Sequence, residues 1–253
     1  RVNPKVVTEL AEVPSIADRE LVLLHDNRNA LGDVIGLRDQ LGARAHHYWQ
    51  SGSSTQVAAI GRRITRQAIG AVLGGGGARG FAHIGLVRAL DELHIPIDLY
   101  GGSSMGAFIS ALWACGMGAR EMVQLCRSTY VDRNLLSDFM LPRVSLIRGQ
   151  RFFKELKAIF GEQRIEHLDA PYFCMSTNLT LGTQHAHYDG DLATWVAASM
   201  CIPGVAPPVG WQGDLHADGG IVNNLPTDVM RERGRGPILA SSVGMEGAVH
   251  CRG

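Results

Sequence analysis

The sequence predicts an α/β domain built on parallel strands. Two strand–glycine turn–helix units stand in succession. The first runs Ala71-Val72-Leu73, then Gly74 to Gly80, then an apolar stripe at Ile84, Val87, Ala89, Leu90 and Leu93 that stops before Pro96. The second runs Ile97-Asp98-Leu99-Tyr100, then Gly101 to Gly106, then Phe108, Ile109, Leu112 and Trp113, closed by Gly116. Short apolar runs followed by glycine turns and 3.6-period stripes are the pattern of parallel strands joined by crossover helices. Glycine supports the reading: 31 of 253 residues, against a usual ~7%.

The remaining elements follow in order. Leu21-Val22-Leu23-Leu24 suits a buried strand, and Gln50 to Thr55 is a loop by composition. Val57, Ile60 and Ile64 recur at helical spacing with Arg62, Arg63 and Arg66 among them, predicting a short helix that leads into the main domain. Phe152, Leu156, Ile159 and Phe160 form a helix face, Tyr172 to Thr177 and His185 to Tyr188 read as strands, and Leu192 to Met200 reads as a helix ending before Pro203. His216 to Gly220 is a third glycine turn, Pro226 sits where a helix starts, and Ile238 to Val243 is a late strand.

Composition excludes several classes. Lys+Arg 24 balances Asp+Glu 24, so there is no basic field to hold a phosphate backbone, and nucleic acid is not an expected partner. Cys115, Cys126, Cys174, Cys201 and Cys251 contain no CxxC pair, which reads as reduced thiols in an intracellular protein. No apolar run approaches the ~18 residues of a bilayer span. The start at Arg1-Val2-Asn3-Pro4, without Met or a signal segment, reads as a piece of a longer chain.

Gly75-x-Gly77-x-x-Gly80 fits a dinucleotide fingerprint, with Asp98 near the place of a ribose-binding acid. The Walker loop fails, because Phe81-Ala82 follow Gly80 where Lys-Ser/Thr is needed. The same glycines can present bare backbone N–H groups to a tetrahedral oxyanion at a helix N-terminus. Gly102-Ser103-Ser104-Met105-Gly106 is a GxSxG between a strand and an apolar helix, the context of a nucleophile elbow. Ser104 is its central serine and Ser103 is off register.

A nucleophilic serine needs a base. After Asp218 only His250 remains for a three-residue relay in Ser–acid–His order. His83 reads as a partly buried helix histidine, His185 and His187 as solvated strand residues, and His216 as structural. Asp218-Gly219-Gly220 offers a carboxylate on a glycine turn that can take the Ser104 proton directly, with burial raising its pKa.

Taken together, Gly75-Gly76-Gly77-Ala78-Arg79-Gly80, Gly102-Ser103-Ser104-Met105-Gly106 and Asp218-Gly219-Gly220, in this order, resemble the patatin-like phospholipases. Leu73 to Gly80, Ala170-Pro171-Tyr172-Phe173, Ala197-Ala198-Ser199-Met200 and Asp218 to Pro226 resemble the neuropathy target esterase branch. Leu21 to His25 and Trp49 look like the segment just upstream of its catalytic domain. The resemblance implies a three-layer α/β/α sandwich with a central, mostly parallel sheet and a Ser-Asp dyad. Ser104 is then nucleophile and Asp218 base. Gly75, Gly76 and Gly77 form the oxyanion hole with Arg79 at the loop's basic position, and Gly102 and Gly106 flank the elbow. It implies phospholipid or lysophospholipid esters as substrates; no cofactor is expected, and no metal, because the site offers glycine amides, one serine and one aspartate without a second carboxylate or histidine at ligand spacing. It also implies upstream cyclic-nucleotide-binding-like domains outside this chain. Residues 1–66 are the expected flanking segment and linker helix, and 67–253 the expected catalytic domain, truncated at its C-terminus. Localisation is expected to be cytoplasmic or peripheral to a membrane, with Phe139-Met140-Leu141-Pro142, Arg143, Leu146-Ile147 and Arg148 as the lipid contact. A nucleotide-binding module using Gly75, Gly77, Gly80 and Asp98, and a catalytically silent lipid-binding domain, are the alternatives.

Overall fold

The computed structural model describes residues 19–24, 32–132, 145–233 and 236–244. In chain order these form β1 (Arg19–Leu24), α1 (Val34–Gln40), β2 (Ala43–Trp49), α2 (Ser54–Ile64), β3 (Gly70–Leu73), α3 (His83–Glu92), β4 (Leu99–Ser103), α4 (Met105–Ala114) and α5 (Ala119–Cys126). Then come α6 (Gln150–Phe160), β5 (Tyr172–Asn178), β6 (Thr183–His187), α7 (Leu192–Met200), β7 (Val209–Trp211), β8 (Asp214–Asp218), α8 (Thr227–Arg233) and β9 (Ile238–Ser241).

Seven strands make the central sheet in the order β7-β8-β5-β4-β3-β9, with β6 also paired to β5. The β9-β3-β4-β5 run is parallel, and β6, β7 and β8 are antiparallel additions. Side chains alternate across the parallel strands, so each face has its own core. Ala71, Leu73, Tyr172 and Cys174 point into the larger core with α3 to α7. Val72, Phe173 and Met175, the alternate positions, pack on the other face with Val229 and Met230 of α8. This is a three-layer α/β/α sandwich with a mostly parallel sheet. Helix α4 is buried along its whole length, as its all-round apolar sequence requires.

Helix α7 falls on its predicted span and is started by Asp191, whose carboxylate accepts the Thr194 N–H at 2.8 Å. Helix α2 forms as predicted, but only Ile60 of its expected stripe is buried. Val57 and Ile64 are exposed, and the second buried residue is Arg63. Two glycine turns are shorter than expected. Gly101, Gly102 and Ser103 belong to β4, and His216 to Asp218 belong to β8. Gly101 is in the strand because a Cβ there would strike the Phe173 ring, and Gly102 because a Cβ would stand 2.6 Å from the Leu73 carbonyl. These glycines serve close packing in a sheet, which local sequence cannot separate from turning. Strand β2 was not predicted. It pairs in parallel with β1 as a separate two-stranded sheet, and its Tyr48 hydroxyl donates to the Glu166 carbonyl at 2.7 Å.

Candidate active site

The register of β5 brings the site together. Its Cys174 to Asn178 stretch pairs with β6 along one edge. A strand has two edges, so β4 and β8 share the other one. On that edge Met175 lies opposite Ser103, the end of β4, and the next residue, Ser176, lies opposite Asp218, the end of β8. One strand arriving in parallel and one arriving antiparallel therefore meet end to end at neighbouring rungs.

At that junction the chain turns sharply from β4 into α4 through Ser104, which has φ 52° and ψ −127°. A positive φ is costly for a serine and is held here by packing. Gly106 permits the turn, since any Cβ there would overlap the Leu73 carbonyl. The Ser104 amide donates to Ser199 Oγ at 2.9 Å and its carbonyl accepts the Phe108 N–H at 3.1 Å. The Ser104 hydroxyl donates to Asp218 Oδ2 at 2.6 Å. Ser103 is fully buried and faces the sheet junction, as its register requires.

Asp218 is fixed on both sides. Its amide donates to the Cys201 carbonyl at 2.9 Å, and Oδ1 accepts the Gly220 N–H at 2.7 Å. Burial raises its pKa above the ordinary carboxylate value, against the opposing effect of the Ser104 and Gly220 hydrogen bonds. The serine sits at the N-terminus of α4, where the helix dipole favours negative charge.

The glycine loop lies beside the serine: a Cβ on Gly75 would stand 2.9 Å from Ser104 Cβ. Its amides are not equivalent. The Gly74 N–H donates to the Ser241 carbonyl at 2.9 Å and the Gly75 N–H to the Asn224 carbonyl at 3.2 Å. The Gly76 and Gly77 amides have no protein acceptor among the described residues. Of the three expected donors, Gly75 is engaged in holding the loop. Arg79 is exposed, and its Nε reaches back to the Gly76 carbonyl at 3.5 Å, so it braces the loop's outer side.

Asp98 is not placed for a ribose. It is buried beneath α2, where Arg62 donates to both its oxygens at 2.9 and 2.7 Å and the Ile69 amide adds a third bond at 3.2 Å. A Cβ at Gly80 would strike Met105, so that glycine serves packing between the loop and α4. The nucleotide reading loses both its acid and its third glycine.

Two histidines, His185 and His187, differ from expectation. His187 is buried and stacks on Trp195 at 3.7 Å, and burial depresses its pKa to about 2, with His185 and His216 adding to the effect. Ser176 Oγ bridges His187 Nε2 at 2.6 Å and His216 Nδ1 at 2.8 Å. His187, expected to be solvated, is thus enclosed with Ser176, Trp195 and His216, His185 is half-buried beside it, and His216 is structural as expected. His83 holds the Gly74 carbonyl at 2.9 Å and lies against Ser241 Oγ at 3.1 Å. His250 lies outside the described residues. Among the described residues no group of His, Cys, Asp or Glu is arranged to hold a metal. A cavity of about 400 Å³ opens between β2 and the amino ends of β4 and β5; its lining includes Arg63, Leu99 and Tyr172 but neither Ser104 nor Asp218.

A three-layer α/β/α sandwich with a strained serine elbow, an adjoining glycine loop and an aspartate on the serine hydroxyl defines the nucleophile-elbow class of α/β proteins. Within that class, a family model described as patatin-like phospholipase matches residues 71–231, and the chain belongs to that family. It is 38% identical over 192 residues to an uncharacterized NTE family protein of Mycobacterium tuberculosis, covering 76% of this chain and 32% of that protein. It is 40% identical over 193 residues to neuropathy target esterase sws of Drosophila melanogaster, covering 74% and 14%. It is 34% identical over 251 residues to lysophospholipase NTE1 of Meyerozyma guilliermondii, covering 96% and 16%. The chain thus spans about a third or less of the length of these relatives.

Proposed function

We propose that the chain is a serine acyl hydrolase that cleaves carboxylic esters of lysophospholipids or phospholipids, with Ser104 as nucleophile and Asp218 as base. The observation that carries this reading is the 2.6 Å hydrogen bond from Ser104 Oγ to Asp218 Oδ2. Among the described residues no histidine is hydrogen-bonded to either side chain.

Asp218 takes the hydroxyl proton as Ser104 Oγ attacks the ester carbonyl carbon. A carboxylate whose pKa is raised by burial holds that proton better than an exposed one. The negative charge formed on the carbonyl oxygen falls to the Gly76 and Gly77 amides and the positive end of α4. Collapse breaks the ester C–O bond, the departing alcohol takes the proton from Asp218, and the acyl group stays on Ser104. Water then attacks the acyl carbon while Asp218 accepts its proton. Release of the fatty acid returns that proton to Ser104. The substrate class is supported by the family and by the lysophospholipase among the relatives.

A fluorophosphonate probe tests the reading. Covalent labelling that disappears in Ser104→Ala is the expected result. A folded chain that takes no label, or that keeps it in Ser104→Ala, removes Ser104 as nucleophile and leaves a silent lipid-binding domain as the better account.

A further inference from the structure

We propose that the two hairpin tips above Asp218 form a surface that inserts into uncharged, zwitterionic phospholipid, and that this surface presents the lipid ester to the site. The proposal rests on the reading of Ser104 and Asp218 as a lipid-cleaving dyad and adds where and to what kind of bilayer the chain binds.

Along β5 the order of rungs is Met175 opposite Ser103, Ser176 opposite Asp218 and Asn178 opposite His216. The Leu179 amide then donates to the Leu215 carbonyl at 2.7 Å. Leu215 therefore stands three residues beyond Asp218, about 10 Å at ~3.3 Å per residue. The β5–β6 turn extends past it with Leu179 and Leu181, which are 43% and 67% exposed. Beside it, β7 and β8 are joined by the two-residue turn Gln212-Gly213, both at positive φ. That hairpin exposes Leu215 and Trp211, the latter with its ring edge-on to Trp195. Large apolar side chains exposed on two adjacent tips beside a polar site fit a fluid lipid phase.

The depth agrees. Interfacial segments bury their apolar side chains about 5–10 Å into the headgroup and acyl boundary. Tips about 10 Å above Asp218 then hold the dyad at headgroup level. Charge selects the lipid. Residues 178–184 and 209–215 contain no Lys or Arg, and their one acid, Asp214, accepts from Asn178 Nδ2 at 2.8 Å. Nothing there seeks an anionic headgroup. Of the arginine-flanked stretch expected to meet lipid, residues 139–143 lie outside the described residues, Leu146 and Arg148 are exposed, and Ile147 is buried.

The test uses the full chain carrying Ser104→Ala, so that lipid is bound and not consumed, and phosphatidylcholine vesicles in a sedimentation assay. Partitioning should be retained at high salt and should weaken by about tenfold or more when Leu179→Ser and Leu181→Ser are added. In the Ser104 background the same double variant should keep its fluorophosphonate labelling. If it loses labelling, the single Leu181→Asp variant decides, because that side chain has the least packing to lose. Binding unchanged by these variants overturns the proposal. So does binding that needs anionic lipid and vanishes with salt, or tips that drive self-association without vesicle binding. Tip-dependent vesicle binding by a chain that cleaves no ester would leave the surface standing and remove the catalytic reading.

Discussion

Asn224 and Gly75 hold each other in a reciprocal pair: the Gly75 N–H donates to the Asn224 carbonyl at 3.2 Å, and Asn224 Nδ2 donates to the Gly75 carbonyl at 3.2 Å. The same side chain reaches the other side of the site, since a Cβ on Gly220 would stand 2.6 Å from Asn224 Oδ1. One residue thus holds the glycine loop and packs against the turn that carries Asp218. That turn and that loop hold the two ends of the proposed reaction, the base and the oxyanion donors.

Replacing Asn224 with Ala removes the side-chain bond to the Gly75 carbonyl and the packing against Gly220, and should therefore shift the Gly76 and Gly77 amides relative to Asp218. A displacement of about 1 Å costs roughly 10²-fold in rate. The loss should fall on kcat with KM little changed, and the chain should remain folded by circular dichroism. A variant with normal kcat would show that the loop is held by other contacts.

Asp218→Asn keeps the shape of the turn and removes the proton acceptor. The ester hydrolysis rate should fall by about three powers of ten, from loss of the base and of nucleophile activation together. The raised Asp218 pKa means that the folded state holds a proton the unfolded chain has released, from 3.8 upward to the folded value. Stability from this group falls as pH rises through that window, and the cost of the buried charge persists above it. The amide carries no charge, so the Asn variant should melt at or above the wild-type temperature near pH 7.5. A large loss of thermal stability would assign Asp218 a structural role instead.

The same shift governs the acid limb of activity. The base must be ionised to accept the Ser104 proton, so kcat/KM should fall as pH drops through the folded pKa of Asp218. That midpoint should lie above the ordinary value of 3.8. A soluble short-chain ester, assayed from pH 4 to pH 8, reads it without vesicles. A limb at or below the ordinary value would contradict the dyad as drawn.

His187 predicts a second, independent acid sensitivity. Its folded pKa of about 2 lies far below the unfolded 6.5, so the unfolded chain takes up a proton that the folded chain refuses. Stability present above pH 6.5 is lost as pH falls toward the folded value, by about 1.4 kcal/mol per pH unit. His187→Phe keeps a ring against Trp195 and removes the titration. Denaturant unfolding at pH 7 and pH 5 should show a smaller difference in the variant than in the wild type. Equal differences would show that His187 does not carry this titration.

Asp98→Asn should destabilise the chain by about 1–2 kcal/mol, because it weakens the charge-assisted bidentate bonds to Arg62, whose partly exposed guanidinium can still reach solvent. It should leave the behaviour toward NAD(P) unchanged, since the Asp98 carboxylate is taken up by Arg62 and the Ile69 amide. Saturable NAD(P) binding lost in this variant would revive the nucleotide reading.

Much of this molecule is written locally. The span of α7, the buried character of α4 and the strands β3 and β5 each follow from an apolar run contained in the element itself. The choice of Ser104 over Ser103 follows from its place between two glycines, and the structure puts Ser103 in the core and Ser104 on the elbow. The order of glycine loop, serine and aspartate is likewise legible, because each motif is a few residues long. What local sequence does not hold is partnership. Gly101 and Gly102 look like a turn until β3 and β5 are laid beside them. Asp98 looks like a ribose acid until α2 delivers Arg62. His187 looks solvated until β7, β8 and α7 close over it. The Ser104–Asp218 bond spans 114 residues, and its geometry is set by two strands that meet on one edge of β5. Such contacts depend on which strand edges and helix faces are left to pair after every local element has formed. Only the packed chain decides that.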